Sequence, residues 1–235
     1  MEFRFSGNLE NLVRPVHDRG TLYPGDTPTT TAVHTINASS QPKKFVCRVS
    51  SETKVSSSHA GTHVDLEPHF FRDAVSGIFL PEKFCGNAVL IDVSNQLDAT
   101  MEISRELLRA KLAEFGLTPT SQSEKPLCVM VKTWTLYPVE PPEIFPFFSP
   151  AAAQLLVDYG VDSVMTDTVS VDPFGEADLA KGAHGIFGRG KVGIMEGANL
   201  RPPRPGRGKV FTSADINRCN PDAQGIGGLY FFPGA

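Results

Sequence analysis

The chain has 235 residues, is 40% hydrophobic and 20% charged, and carries a formal net charge of −4. That length predicts one large domain or two small ones, with a core big enough to hold without a disulfide or a metal. The mild acidity argues against nucleic acid as the main partner, because phosphate binding needs a basic stripe, and no apolar run is long enough to span a bilayer.

Residues 1–42 read as a turn-rich N-terminal arm, without the charged-then-apolar pattern of a secretory leader. Tyr23-Pro24-Gly25-Asp26 is a turn signal, since Pro presets φ and Gly tolerates φ > 0. The alternation of Phe45, Cys47 and Val49, followed by Val55, predicts a strand within 43–57. Asn87–Ser94 (NAVLIDVS) is a short apolar run suited to a buried strand. Ser104 is placed to cap a helix through Phe115, with Leu107, Leu108 and Leu112 on one face and Gly116 as the stop. Leu127–Lys132 predicts a second buried strand. Residues 134–148 (WTLYPVEPPEIFPFF) are too rich in Pro for a helix interior, and a long irregular aromatic segment suits a lid or pocket wall as well as a packed surface loop. Ser149-Pro150 then opens a helix to Tyr159 that stops at Gly160. A strand at Ser163–Asp167, a short helix around Asp178–Phe187 and a strand at Val192–Glu196 follow, with β structure near Val210 and in GLYFF. Arg201–Lys209 is basic but broken by prolines and glycines, as a solvated loop would be. Strand, helix and strand in succession predict an α/β domain with partly parallel pairing. The four cysteines are widely spaced, with no CxxC pair, and indicate a reducing, cytoplasmic setting without thiolate-bound metal.

The chemistry concentrates in SSSHAGTHVDLEPHFF, residues 56–71. Three of the six histidines fall within eleven residues there, where composition alone predicts about 0.3. Gly61 and Pro68 disfavour a helix across this stretch. In an extended chain His59, His63, Asp65 and His69 share parity and face one side, and a kink at Gly61-Thr62 would curl them around a common centre. A lone His is most often a satisfied surface or core residue; this many, with a carboxylate, suit zinc, manganese or iron(II).

HAGTHVDLEPHF resembles the HxGTHxDxPxHF signature of the cyclase family of metal-dependent hydrolases, to which bacterial-type kynurenine formamidases and isatin hydrolases belong. The segments at Tyr23–Pro28, Ser149–Val161 and Thr166–Pro173 resemble further family segments in the same order, and His184 followed by Glu196 matches the spacing of the remaining ligands. The resemblance implies a single compact β/β/α (swivelling-type) domain with a mixed sheet over 1–235, assembled as a dimer or tetramer. It implies that His59 and His63 bind one metal, that Asp65 bridges to a second held by His184, and that Glu196 closes the site. His69 would be the catalytic acid/base and Tyr23 would line the substrate pocket. Two divalent ions are implied, zinc first and manganese second. Two departures stand out: Glu67 occupies the usual Pro position, with Pro68 one residue later, and Tyr23 replaces the Trp of formamidases. Asp26, Asp167, Asp172 and Thr62 are candidates to orient the imidazoles, with turn or cap roles as the ordinary alternative. His184 in GAHGIFGRG would otherwise be a helix-end residue beside Arg189, and Glu196 a strand-edge charge in need of a partner.

The expected activity is hydrolysis of a non-peptide C–N bond in a small aryl formamide or cyclic amide by metal-activated water. Other hydrolytic or cyclisation chemistry on the same site, and a catalytically silent metal-binding protein, are the alternatives.

Overall fold

The apolar runs predicted as buried strands line up in parallel, and the helices between them lie against one side of the sheet. The computed structural model describes residues 11–14, 26, 30–38, 47–75, 77–119, 127–133, 143–176 and 178–234; Tyr23, Trp134 and most of the Pro-rich segment lie outside them. β1 (Thr30–Ala38) and β2 (Cys47–Val55) form a two-stranded antiparallel ribbon. β1 thus falls within the segment read as turn-rich. Next come β3 (His63–Asp65), β4 (Gly86–Asp92), β5 (Glu102–Ile103) and α1 (Arg105–Glu114). β6 (Leu127–Lys132), β7 (Phe147–Phe148), α2 (Pro150–Asp158), β8 (Ser163–Thr166) and α3 (Ala183–Arg189) follow. The chain closes with β9 (Gly193–Glu196), β10 (Gly206–Cys219) and β11 (Ala223–Pro233). Among the described residues, seven strands close a barrel in the order β10-β11-β3-β9-β8-β6-β4. β4, β6, β8 and β9 run parallel, and β3, β10 and β11 pair antiparallel. The result is one mixed α/β domain, as expected.

Strand periodicity divides the core. Ala88, Leu90, Cys128, Met130, Met165 and Met195 fill the barrel with Phe84 and Leu229. Their neighbours Val89, Ile91, Val129, Val131, Val164 and Ile194 point outward onto the helices. Both faces are covered, so these strands read as continuous apolar runs and not as alternations. Ser104 and Ser149 cap α1 and α2, accepting from Leu107 and Ala152 backbone N–H at 3.2 Å each; each cap is worth about 1 kcal/mol. Leu108 and Leu112 of α1 and Ala152, Ala153, Leu155 and Leu156 of α2 are the buried stripe. α3 starts at Ala183, later than predicted, because 178–182 form a turn. Phe148 is fully buried in the outer core and Phe145 nearly so, whereas Ile144 is exposed and Phe147 half-buried; the described end of the Pro-rich segment is thus anchored in the core by Phe145 and Phe148.

Candidate metal centre

Strand register brings the predicted residues together. His63 lies opposite Glu196 across β3 and β9, and Val64 opposite Met195. Val64 and Met195 point into the barrel, so His63, Asp65 and Glu196 stand side by side on the outer face, beneath α3. His59 reaches them from a turn, not from the strand. Gly61 allows this: its φ of +68° lies in the left-handed region, where the chain curls without a Cβ clash. Gly197, at φ +66°, meets this curl so closely that a Cβ on it would lie 2.6 Å from the Gly61 carbonyl oxygen. Thr62 pins the contact: its buried hydroxyl donates to Gly197 O at 2.8 Å and accepts from Arg14 N at 2.7 Å.

His184, the second residue of α3, descends onto the same face. Its Nε2 lies 3.3 Å from Asp65 Oδ2 and 3.5 Å from Glu196 Oε1. His63 Nε2 is 3.2 Å from Asp65 Oδ1 and 3.6 Å from Glu196 Oε2. His59 Nδ1 is 3.0 Å from His63 Nε2 and 3.1 Å from Asp65 Oδ1. Glu196 is steadied by the Val171 N–H at 2.6 Å. His69, on the short 3-10 turn Glu67–His69, places its ring 4.1 Å from that of His59 and 5.2 Å from that of His184. Phe70 faces His184 at 5.8 Å between ring centroids. Glu67, in the departure from the family pattern, is exposed to solvent.

Each imidazole also has an outer partner. His63 Nδ1 faces Gly61 O at 2.9 Å, His184 Nδ1 faces Asp172 Oδ2 at 2.7 Å, and His59 Nε2 faces Asp222 Oδ2 at 3.3 Å. Each outer partner is an acceptor, so with a cation at the centre each ring would carry its N–H outward and turn a lone pair inward. Three lone pairs and two carboxylates would then face one another around Asp65, an arrangement that repels itself without positive charge between them. This donor set fits a divalent cation. One ligand atom each from His59, Asp65 and His69 lie within 4.8 Å of one another, as do those from His63, Asp65 and Glu196. Asp65 belongs to both groups.

In the protein alone, protons answer the same demand. Burial pushes the His59 imidazole down, but the hydrogen bond and charge of Asp65, with Glu196 and Asp222, outweigh it and bring it up to about 9. Burial likewise opposes the His184 imidazolium, and the bonds to Asp172, Asp65 and Glu196 raise it well above its ordinary value. Burial pushes Asp65 up, yet His184, His59 and His63 hold it well below the usual carboxylate range. Glu196 is raised, by burial first and by the Asp65 charge second. Burial takes His69 down to about 4, helped by the charges of His59, His184 and His63 and opposed by Asp65.

Of the four candidates to orient the imidazoles, Asp172 contacts one directly, through His184. Thr62 secures the loop backbone. Asp167 serves β6, accepting from Thr133 N at 2.8 Å and Thr133 Oγ1 at 2.7 Å. Asp26 is half-buried, and among the described residues its Oδ2 has no hydrogen-bond partner. Arg189 donates to Ala180 O, closing the turn before its own helix. Sequence reasoning missed Asp222, more than 160 residues from His59, and Arg218, which donates to Ala60 O; an Asn-Pro-Asp turn carries no local mark of either role.

The Cyclase family model matches residues 12–173, more than half of the chain. A kynurenine formamidase from Bacillus cereus is 28% identical over 191 residues, 81% of each chain. Isatin hydrolase A from Labrenzia aggregata, bound to benzyl benzoate, superposes with a TM-score of 0.71 at 17% identity, over 96% of this chain and 93% of that one. A structure described as a potential metal-dependent hydrolase with cyclase activity superposes with a TM-score of 0.69 at 16% identity, over 97% of this chain and 99% of the other. The chain therefore belongs to the cyclase family.

Proposed function

We propose that this protein is a metal-dependent hydrolase that cleaves a non-peptide C–N bond in a small aryl formamide or cyclic amide. One observation carries the reading: a nitrogen from each of three imidazoles crowds against the carboxylates of Asp65 and Glu196, and each ring has an acceptor on its outer side. The names of the relatives, kynurenine formamidase and isatin hydrolase, point to the same bond type. In this reading His59, His63, Asp65, His184 and Glu196 would hold two divalent ions, zinc first and manganese second. Divalent cations bound there lower the pKa of water towards neutrality and polarise a carbonyl.

The chain's own residues do the remaining work. Asp65 and Glu196 supply the negative charge that fixes the cations, and the strand register holds them in place before substrate arrives. His69 projects from a turn beside the cluster, where its ring can take a proton from water and hand it to the departing nitrogen. Phe70 offers an aromatic face beside His184 for a planar substrate, and Tyr23, outside the described residues, is proposed from the family resemblance to line the substrate pocket. We read the protein as cytoplasmic from its widely spaced cysteines and as a dimer or tetramer from the family resemblance.

The test is metal analysis together with turnover of formyl aryl amines, isatin and cyclic imides before and after chelation. Activity on one of these that vanishes with the metal and returns with zinc or manganese is expected. Hydrolysis that survives complete metal removal would refute the mechanism. Bound metal without turnover of any amide would favour the silent metal-binding alternative.

A further inference from the structure

The β10–β11 hairpin lies beyond the residues that the family model matches, yet its tip touches the metal loop. Asn220 N–H donates to Ala223 O at 2.9 Å and closes the turn. Ala223 pairs with Asp65 across β11 and β3, so the register sets Asp222 at the edge of the cluster. The Asp222 backbone is also tied there, because its carbonyl accepts from Leu66 N at 2.9 Å. Its carboxylate Oδ2 then lies 3.3 Å from His59 Nε2 and 3.3 Å from Ser58 Oγ. Two further side chains stiffen the hairpin. Buried Gln224 donates to Asp215 O and Gly225 O, at 2.9 Å each. Arg218 packs across Gly225 and donates to the carbonyls of Ala60 and Thr62. The loop that carries His59 is therefore held by the strands that follow the family's matched region.

We infer that Asp222 is a positioning residue that keeps the His59 proton on Nε2 and so directs the Nδ1 lone pair into the metal site. His59 needs this more than its neighbours do. It sits on a turn and is the most exposed of the three imidazoles that flank Asp65, with 15% of its side chain accessible against 2% for His63 and 1% for His184, whereas His63 is fixed by Gly61 O and His184 by Asp172. A carboxylate behind a ligand imidazole fixes tautomer and ring orientation and strengthens it as a donor. The inference rests on the metal-site reading given above.

The experiment uses the full chain, stripped and reloaded with Zn2+. Long-range proton–nitrogen NMR of 15N-histidine protein reports which His59 nitrogen carries hydrogen, and chelator competition reports Zn2+ affinity. The expected result is an Nε2 proton in the wild type, with affinity about 10–100-fold weaker in Asp222→Ala. Asp222→Asn, which keeps an oxygen for that proton, should recover most of the loss. In the Zn2+-loaded wild type, a His59 proton on Nδ1 overturns the inference whether or not the Ala variant folds. So does an Ala variant that binds Zn2+ as tightly as the wild type. A wild type that binds no Zn2+ at all defeats the metal-site reading, and this inference with it.

Discussion

Asp172 offers the sharpest single perturbation. Its Oδ1 accepts from Ala183 N at 2.5 Å, and its Oδ2 from His184 N at 3.3 Å and His184 Nδ1 at 2.7 Å. One buried carboxylate thus opens α3 and aims His184. Asp172→Ala deprives all three donors at once and leaves His184 free to rotate. Removing one partner of a buried charged pair costs about 3–5 kcal/mol, a large part of the 5–15 kcal/mol typical of a folded domain. Asp172→Asn must turn its amide NH2 towards one side. Two donors lie at Oδ2 and one at Oδ1, so the NH2 goes to the Ala183 side and the oxygen stays on His184. The Asn variant should therefore lose about 1–3 kcal/mol, the penalty for one buried unsatisfied donor, yet keep its metal site. The Ala variant should lose stability and also about 10–100-fold in metal affinity. Urea denaturation of the metal-free proteins and chelator competition for Zn2+ measure the two effects separately. An Ala variant that stays folded and binds Zn2+ like the wild type would refute the claim that Asp172 aims His184.

Further outcomes follow from the same contacts. At pH 7 the metal-free site should hold protons on His59, raised to about 9, and on His184, raised well above its ordinary value. Metal must expel them, so affinity should rise about 100-fold per pH unit near neutrality. Calorimetry at pH 7 in buffers of different ionisation enthalpy should count about two protons released, and a count of zero would exclude this. The metal-free fold should respond in the opposite sense. The raised His59 adds stability that is complete below its unfolded pKa of about 6.5 and is lost as pH rises through about 9, as pH-dependent melting of stripped protein would show. Gly188→Ala would drive a Cβ to within 2.4 Å of Phe70 Cε2 and 2.8 Å of Phe71 Cε2. We expect about 1–3 kcal/mol of destabilisation by overpacking, and a higher KM for aryl amides if Phe70 faces the substrate; unchanged melting would remove the packing claim. Burial pushes the Cys128 thiol up to about 12 while Cys219 is exposed, so mass spectrometry after brief alkylation of the native protein should find Cys219 modified and Cys128 intact.

Local chemistry in the sequence determined the helices and the buried strands. Ser104 and Ser149 cap as their positions predict, because a cap is a contact over three residues and needs no tertiary partner. Leu127–Lys132 is a strand where its apolar run places it. The histidine cluster was legible because its members are close in sequence, and His184 and Glu196 were legible through the family spacing. The parity argument for the cluster held only across β3, since His59 sits on a turn and His69 on a 3-10 turn. Only the tertiary structure decided which distant groups meet. His63 faces Glu196 because β3 inserts antiparallel beside β9, and no spacing along the chain encodes that neighbour. Asp172 and Asp222 acquire their roles the same way, the first through the packing of α3 and the second through a hairpin that returns to Asp65. The physical reason is range: caps and periodicity act within a few residues, whereas strand register is set by the burial of whole faces and can join side chains more than a hundred residues apart.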